Sequence, residues 1–167
     1  MHRLFTSIAV FSVVAVVTAA PKPAFANDET NPFDGPQHSP HIFEVFLGWT
    51  HGDHDGHDEQ AFSIGAQYRY AINHKVSFGV LAEYSESPFE SWILGVPFVF
   101  NLGETSWQLT TMPGIELEGS EQEFLFRTGI GYEFETESGF SYKPEINVDW
   151  VDGETAVVVG VSFGRRF

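Results

Sequence analysis

From about residue 41 onward, hydrophobic and polar positions alternate with a period of two. Phe43, Val45, Leu47 and Trp49 fall on one face, and Glu44, Phe46, Gly48 and Thr50 on the other. The same alternation returns at Phe62, Ile64, Ala66, Tyr68 and Tyr70. Successive side chains of a strand point to opposite faces, so each run predicts a β-strand with one apolar face. Further runs span Val76 to Tyr84, Trp92 to Asn101, Trp107 to Ile115, Phe124 to Phe134, Tyr142 to Trp150 and Val157 to Phe167, which makes eight strands. Turn signals separate them at Asn73-His74, Ser87-Pro88, Asn101 to Gly103, Glu118-Gly119-Ser120, Glu137-Ser138-Gly139 and Asp152-Gly153. Asp-Gly is the strongest of these for a two-residue hairpin. Such short connections leave no room for crossover helices, so the expected fold is all-β, an eight-stranded antiparallel up-and-down barrel.

Which face points outward separates a soluble barrel from a membrane one. The apolar face carries roughly five side chains per strand, far more contiguous apolar surface than a soluble monomer leaves in water. A soluble, lipocalin-like periplasmic barrel would turn that face into a ligand cavity. The opposite face, however, holds Gly48, Gly65, Gly79, Gly95, Gly114, Gly129, Gly131, Gly160 and Gly164, mixed with Gln67, Arg69, Glu83, Arg127 and Lys143. Small and polar residues suit the narrow interior of eight strands, so the apolar face belongs against lipid. Aromatic residues support this choice. Trp49, Tyr84, Trp92, Phe124 and Trp150 fall near one rim, and Tyr70, Phe100, Trp107, Phe134, Tyr142 and Phe167 near the other. Two such girdles are expected where amphipathic rings meet both bilayer interfaces. The fold expected is therefore a transmembrane β-barrel over residues 41–167.

The start of the chain fits that destination. His2 and Arg3 precede the apolar run Ile8 to Val17, and Ala24-Phe25-Ala26 supplies a small-x-small cleavage pattern, so residues 1–26 read as a signal peptide. Asn27 to Pro40, with prolines at 32, 36 and 40, reads as a flexible tail. The 167-residue chain has no cysteine, 8 bases and 23 acids, for a formal charge of -15. Disulfide scaffolds and thiol catalysis are excluded, and so acidic a chain is not built to grip nucleic-acid phosphates.

The terminal run Val157-Val158-Val159-Gly160-Val161-Ser162-Phe163-Gly164-Arg165-Arg166-Phe167 has outward hydrophobic residues at alternate positions and a C-terminal aromatic. In this it resembles the assembly signal of the small outer-membrane β-barrel family, of the OmpX and OmpA membrane-domain type, and the resemblance covers His41 to Phe167. Arg165 departs from the pattern, since a hydrophobic residue is usual there; near the rim its head can snorkel to water. The resemblance implies a Gram-negative-type outer membrane, insertion by the barrel-assembly machinery, contact with outer-membrane lipid and a monomeric state. It implies no single activity, because barrels of this size serve as anchors, adhesins, lipid enzymes and stress proteins.

Candidate chemistry lies in two places. Inside the barrel, Glu44, Glu133, Glu145, Arg69, Lys143 and Arg166 gather near the periplasmic end and can neutralise one another, whereas Glu83, Glu116 and Asp149 near the outer end face a single base, Arg127. In the expected first external loop, His51, Asp53, His54, Asp55, His57 and Asp58 interleave imidazoles with carboxylates. Such a set can converge on a divalent ion such as zinc, nickel or copper, although a solvated polar loop has the same composition. No catalytic motif is visible. A lipid-modifying enzyme would need Ser and His within reach of acyl chains, and the lipid-facing positions carry no histidine at membrane depth. The expected role is non-enzymatic, structural or surface-interacting, and side chains filling the interior leave no solute channel.

Overall fold

The computed structural model describes residues 39–54, 57–103, 105–136 and 138–167, with the backbone alone at positions 53, 54, 57 and 58. The expected signal peptide of residues 1–26, and the expected tail of residues 27–40 as far as residue 38, lie outside the described residues. Ten strands follow one another: β1 (His41–His54), β2 (His57–Ala71), β3 (Val76–Ser85), β4 (Ser91–Gly95), β5 (Phe98–Asn101), β6 (Trp107–Glu118), β7 (Glu121–Tyr132), β8 (Phe134–Glu135), β9 (Phe140–Val151) and β10 (Glu154–Arg166).

Among the described residues these strands make eight staves. β4 and β5 are halves of one, split where Pro97 has no N–H to donate; the register against β3 is the same on both sides of the gap, from Leu81↔Gly95 to Phe78↔Phe98. β7 and β8 are likewise continuous against β9, with Gly131↔Glu145 and Phe134↔Tyr142 in one register. Neighbouring staves are antiparallel throughout, and β1 pairs with β10 from Ile42↔Arg166 to Gly52↔Ala156, which closes the sheet into a barrel. All eight expected strands are present in the expected order.

The exterior is apolar, as the alternation requires. Phe43, Leu47, Tyr68, Phe78, Val80, Leu94, Phe126, Ile130, Ile146, Val159 and Phe163 are exposed on it. Closed hydrogen bonding and an apolar outer surface are the conditions for crossing a bilayer with strands, because lipid offers no partner for a free N–H or C=O. Near one end Trp49, Trp92, Phe124 and Trp150 stand outward, and near the other Tyr70, Phe100, Trp107, Phe134, Tyr142 and Phe167. Rings touch along the second girdle: Trp107 meets Tyr132 edge-on at 5.1 Å, Tyr132 meets Phe134 at 4.7 Å, and Phe134 stacks on Tyr142 at 4.7 Å.

Two features depart from the sequence expectation. The segment around residues 51–59, expected as an open loop, is mostly strand: β1 and β2 stay paired through His51↔Gln60, Gly52↔Glu59, Asp53↔Asp58 and His54↔His57. β1 and β2 have 14 and 15 residues, so this hairpin runs roughly 16 Å past Trp49 at the rise of an extended strand. The other connections at this end are short as well. Gly119 (φ +57°) opens a two-residue turn between Glu118 and Glu121, and Asp152 (φ +43°) and Gly153 (φ +91°) turn β9 into β10 with the two positive φ values of a type I′ hairpin. The second departure is inside. The interior is not uniformly polar, because Ile93, Met112 and Leu125 form a buried apolar cluster within it, and Phe46 and Val158 are buried too.

Candidate functional site

The glycines on the inward face make the interior possible. Gly48 and Gly160 are register partners on β1 and β10, and the ring of Phe46 lies across both; a Cβ on Gly48 would come 2.4 Å from Phe46 Cζ, and one on Gly160 2.5 Å from it. Gly95 makes room for Met112 Sδ in the same way, with a hypothetical Cβ 2.5 Å away. Small residues on some staves let large ones from their neighbours fill a space only eight strands wide.

The expected ion-pair layer near the termini is present, and its centre is Glu44. Arg69 Nε donates to Glu44 Oε2 at 2.8 Å and Nη2 to Oε1 at 2.7 Å, the two-pronged geometry that a planar guanidinium makes with a carboxylate. Gln67 Nε2 donates to the same carboxylate at 2.7 Å, and Lys143 Nζ approaches Glu44 and Glu145 at 3.3 Å each. Arg69 also donates to Ser77 Oγ at 3.0 Å, and Ser162 Oγ to Glu145 Oε1 at 2.6 Å. Arg166 lies 3.5 Å from Glu133 and 2.9 Å from Glu135. Each of the six charged groups expected in this layer has an opposite charge beside it.

Nearer the outer end, Arg127 takes two carboxylates at once. Its Nε and Nη2 donate to Asp149, the register partner on β9, at 2.6 and 2.8 Å; Nη1 and Nη2 reach across the lumen to Glu83 on β3 at 2.7 and 3.0 Å. Glu116, expected in the same layer, is not in this fork. It lines a separate recess of about 80 Å³ at the outer mouth, with Glu118, Glu123 and Glu154 around it and Thr50, Ser85, Ser91 and Asp149 at its floor. Thr50, Ser63 and Ser85 form a buried hydroxyl cluster at 2.7 and 2.9 Å, which sequence reasoning missed because the three lie on separate strands.

Between the two charged layers lies an inward cavity of about 20 Å³, bounded by Glu44, Phe46, Met112, Arg127 and Lys143. That is room for about one water, so no aqueous path runs through the described interior.

Of the six candidate metal ligands, the register brings His54 and His57 directly opposite each other and does the same for Asp53 and Asp58. His51 is opposite Gln60, three register levels from the His54↔His57 pair. Asp55 lies outside the described residues. Glu59, the last carboxylate of the same His- and Asp-rich segment, is the register partner of Gly52, and its Oε2 is buried without a hydrogen-bond partner.

No family model matches this sequence, and no curated protein matches it. Solved structures do. The barrel superimposes on Neisserial surface protein A (NspA) with a TM-score of 0.66 at 12% identity, over 77% of this chain and 98% of that one. It matches a de novo designed transmembrane β-barrel at 0.51 and 11% identity, over 78% and 99%. It matches Ail, the attachment invasion locus protein of Yersinia pestis, at 0.53 and 16% identity, over 76% and 97%, in a structure with the heparin analogue sucrose octasulfate. This chain has the fold of the small eight-stranded transmembrane barrels. A designed barrel stands among the matches, so the fold by itself carries no activity.

Proposed function

We propose that this is an outer-membrane barrel with a non-enzymatic, surface-interacting role, acting through its outer end and binding divalent cations at the β1–β2 hairpin. The observation that carries the reading is the separation of charges. Glu44, Glu83, Glu133, Glu145 and Asp149 inside the barrel each have a base beside them, while Glu116, Glu118, Glu121, Glu123, Asp152 and Glu154 crowd the outer mouth with no base among the described residues there. A surface of that sign repels polyanions and concentrates cations. Ail is seen with a sulfated ligand; the acidic mouth of this barrel favours the opposite charge.

Within that field the hairpin supplies nitrogen ligands. The register sets His54 on β1 opposite His57 on β2, and Glu59, two residues further along β2, offers an unengaged oxygen. Imidazoles and a carboxylate are donor types that suit zinc, nickel or copper, and one histidine on each strand of a hairpin suits exchangeable binding. The wider picture of outer-membrane location and insertion by the barrel-assembly machinery rests on the girdles, the apolar exterior and the C-terminal aromatic strand.

Calorimetric titration of the folded protein in detergent with zinc and with nickel tests the metal reading. Saturable micromolar binding is expected, lost by about tenfold or more when His54 and His57 are changed together to alanine and little altered by His51→Ala. Equal affinity in the double variant sinks the hairpin site. Recovery of folded protein in the osmotic-shock fraction, instead of with outer membranes, sinks the membrane reading itself.

A further inference from the structure

Arg165 is the base that the terminal strand places on the outside. Its neighbours in sequence, Gly164 and Arg166, are on inward positions, and Arg166 is occupied by Glu133 and Glu135. Arg165 pairs in register with Phe43 on β1 and Phe140 on β9, and its guanidinium lies 4.9 Å over the Phe140 ring. Among the described residues no carboxylate lies within ion-pair distance of it. It is thus a cation held in place by an aromatic face, with no carboxylate of the described residues paired to it.

The guanidinium borders a groove of about 390 Å³ on the outer surface, lined by Phe43, Phe140, Tyr142 and Phe163 with Ser141 and Thr136 at its edge. Its walls are almost wholly apolar and its one charge is positive. The groove stands at the girdle of Tyr70, Phe134, Tyr142 and Phe167, the level at which headgroup phosphates meet the first methylenes of the acyl chains. A cation beside aromatic rings over an apolar trough is complementary to a phosphodiester joined to hydrocarbon.

We propose that Arg165 and this groove form a binding site for one glycerophospholipid, the phosphodiester taken by the guanidinium and an acyl chain laid against Phe43, Phe140 and Phe163. A fork of N–H donors suits two phosphate oxygens, and the Phe140 face fixes its orientation before lipid arrives. This accounts for a charge where alternation otherwise calls for a hydrophobic residue. The site commits the lower rim to a bound lipid, whereas generic snorkelling would leave Arg165 to any passing headgroup.

Native mass spectrometry of the folded full-length protein, released from detergent in the presence of dioleoylphosphatidylglycerol, tests the proposal. One lipid is expected to stay bound at energies that strip detergent, and dioleoylglycerol, which has the same chains and no phosphate, is expected not to displace it. Arg165→Gln should lower retention by about fivefold or more, and Phe140→Ala, which removes the supporting ring and keeps the charge, by a smaller factor. Lys75→Gln, at an exposed base in the β2–β3 turn, should leave retention unchanged. Heat-modified gel mobility confirms that each variant is folded. Equal retention in Arg165→Gln, equal loss in Lys75→Gln, displacement by dioleoylglycerol or occupation of the groove by a second copy of the chain would each overturn the site.

Discussion

Arg69 holds Glu44 with two nitrogens on two oxygens, at 2.8 and 2.7 Å, and both side chains are almost wholly buried. Glu44 also faces Lys143, so this one carboxylate answers two cations. Glu44→Gln should cost about 3–5 kcal/mol in urea unfolding from lipid vesicles, because it leaves both cations without full compensation. Replacing Glu44 and Arg69 together by methionine should cost less than the sum of the single replacements. Strict additivity of the two would show that the pair is not coupled.

Gly79 is an inward position at which backbone, not a side chain, leaves a methyl group no room. A Cβ there would stand 1.8 Å from Tyr68 O and 2.8 Å from Arg69 Cα, both backbone atoms that cannot step aside. Gly79→Ala should destabilise the barrel by about 1–3 kcal/mol, the usual cost of overpacking, or prevent the heat-modified band from forming. Gly103→Ala makes the contrast: no atom lies within 4 Å of the new methyl, and its φ of +67° leaves only backbone strain, expected to cost about 1 kcal/mol. Reversal of that order would contradict the packing described.

Reconstitution into planar bilayers should give no stepwise conductance, because the layers at Glu44 and Arg127 close the lumen from both ends. Arg127→Ser removes a side chain that reaches from β7 to both β3 and β9, and leaves Glu83 and Asp149 facing open space. This variant is expected to admit water and small cations if it folds. Discrete conductance from the unaltered protein would show that the network opens.

The four tryptophans should report bilayer depth. Trp49, Trp92 and Trp150 stand in one girdle and Trp107 in the other, each with roughly half of its surface exposed. Lipids brominated near the carbonyl end of the chain should quench their fluorescence more than lipids brominated near the methyl end. Absence of quenching by either would place these rings in water, as in a soluble barrel.

Fold and facing were legible in the sequence because the period of two is long, regular and punctuated. Each strand states which of its faces is apolar, and eight such statements agree. The external turns were legible as positions, though the length of the first hairpin was not: His, Asp and Gly between residues 51 and 59 have the composition of a loop, and what keeps them paired is the continuation of a register already fixed by Phe43↔Tyr68 and Trp49↔Phe62. The lower ion-pair layer could be grouped by height from the sequence. The partition of Glu83, Glu116 and Asp149 could not, because it depends on which carboxylate a single arginine meets across the lumen. Phe46 and Met112 were hidden for a related reason, since an apolar residue on the polar face makes sense only once Gly48, Gly160 and Gly95 are seen to vacate the space beside it.

The meeting of β1 with β10 bears on how the barrel must form. His41 accepts from Phe167 N at 3.1 Å and stacks on its ring, and Ser39 Oγ donates to the Phe167 carbonyl. The first stave therefore finds its second neighbour only in β10, the described strand farthest from it along the chain. Until the two pair, the sheet has two open edges, which hydrocarbon cannot satisfy. Without the β1–β10 seam both edges stay unpaired, so in hydrocarbon the described strands are stable together only when the barrel is closed, and closure is an all-or-none event.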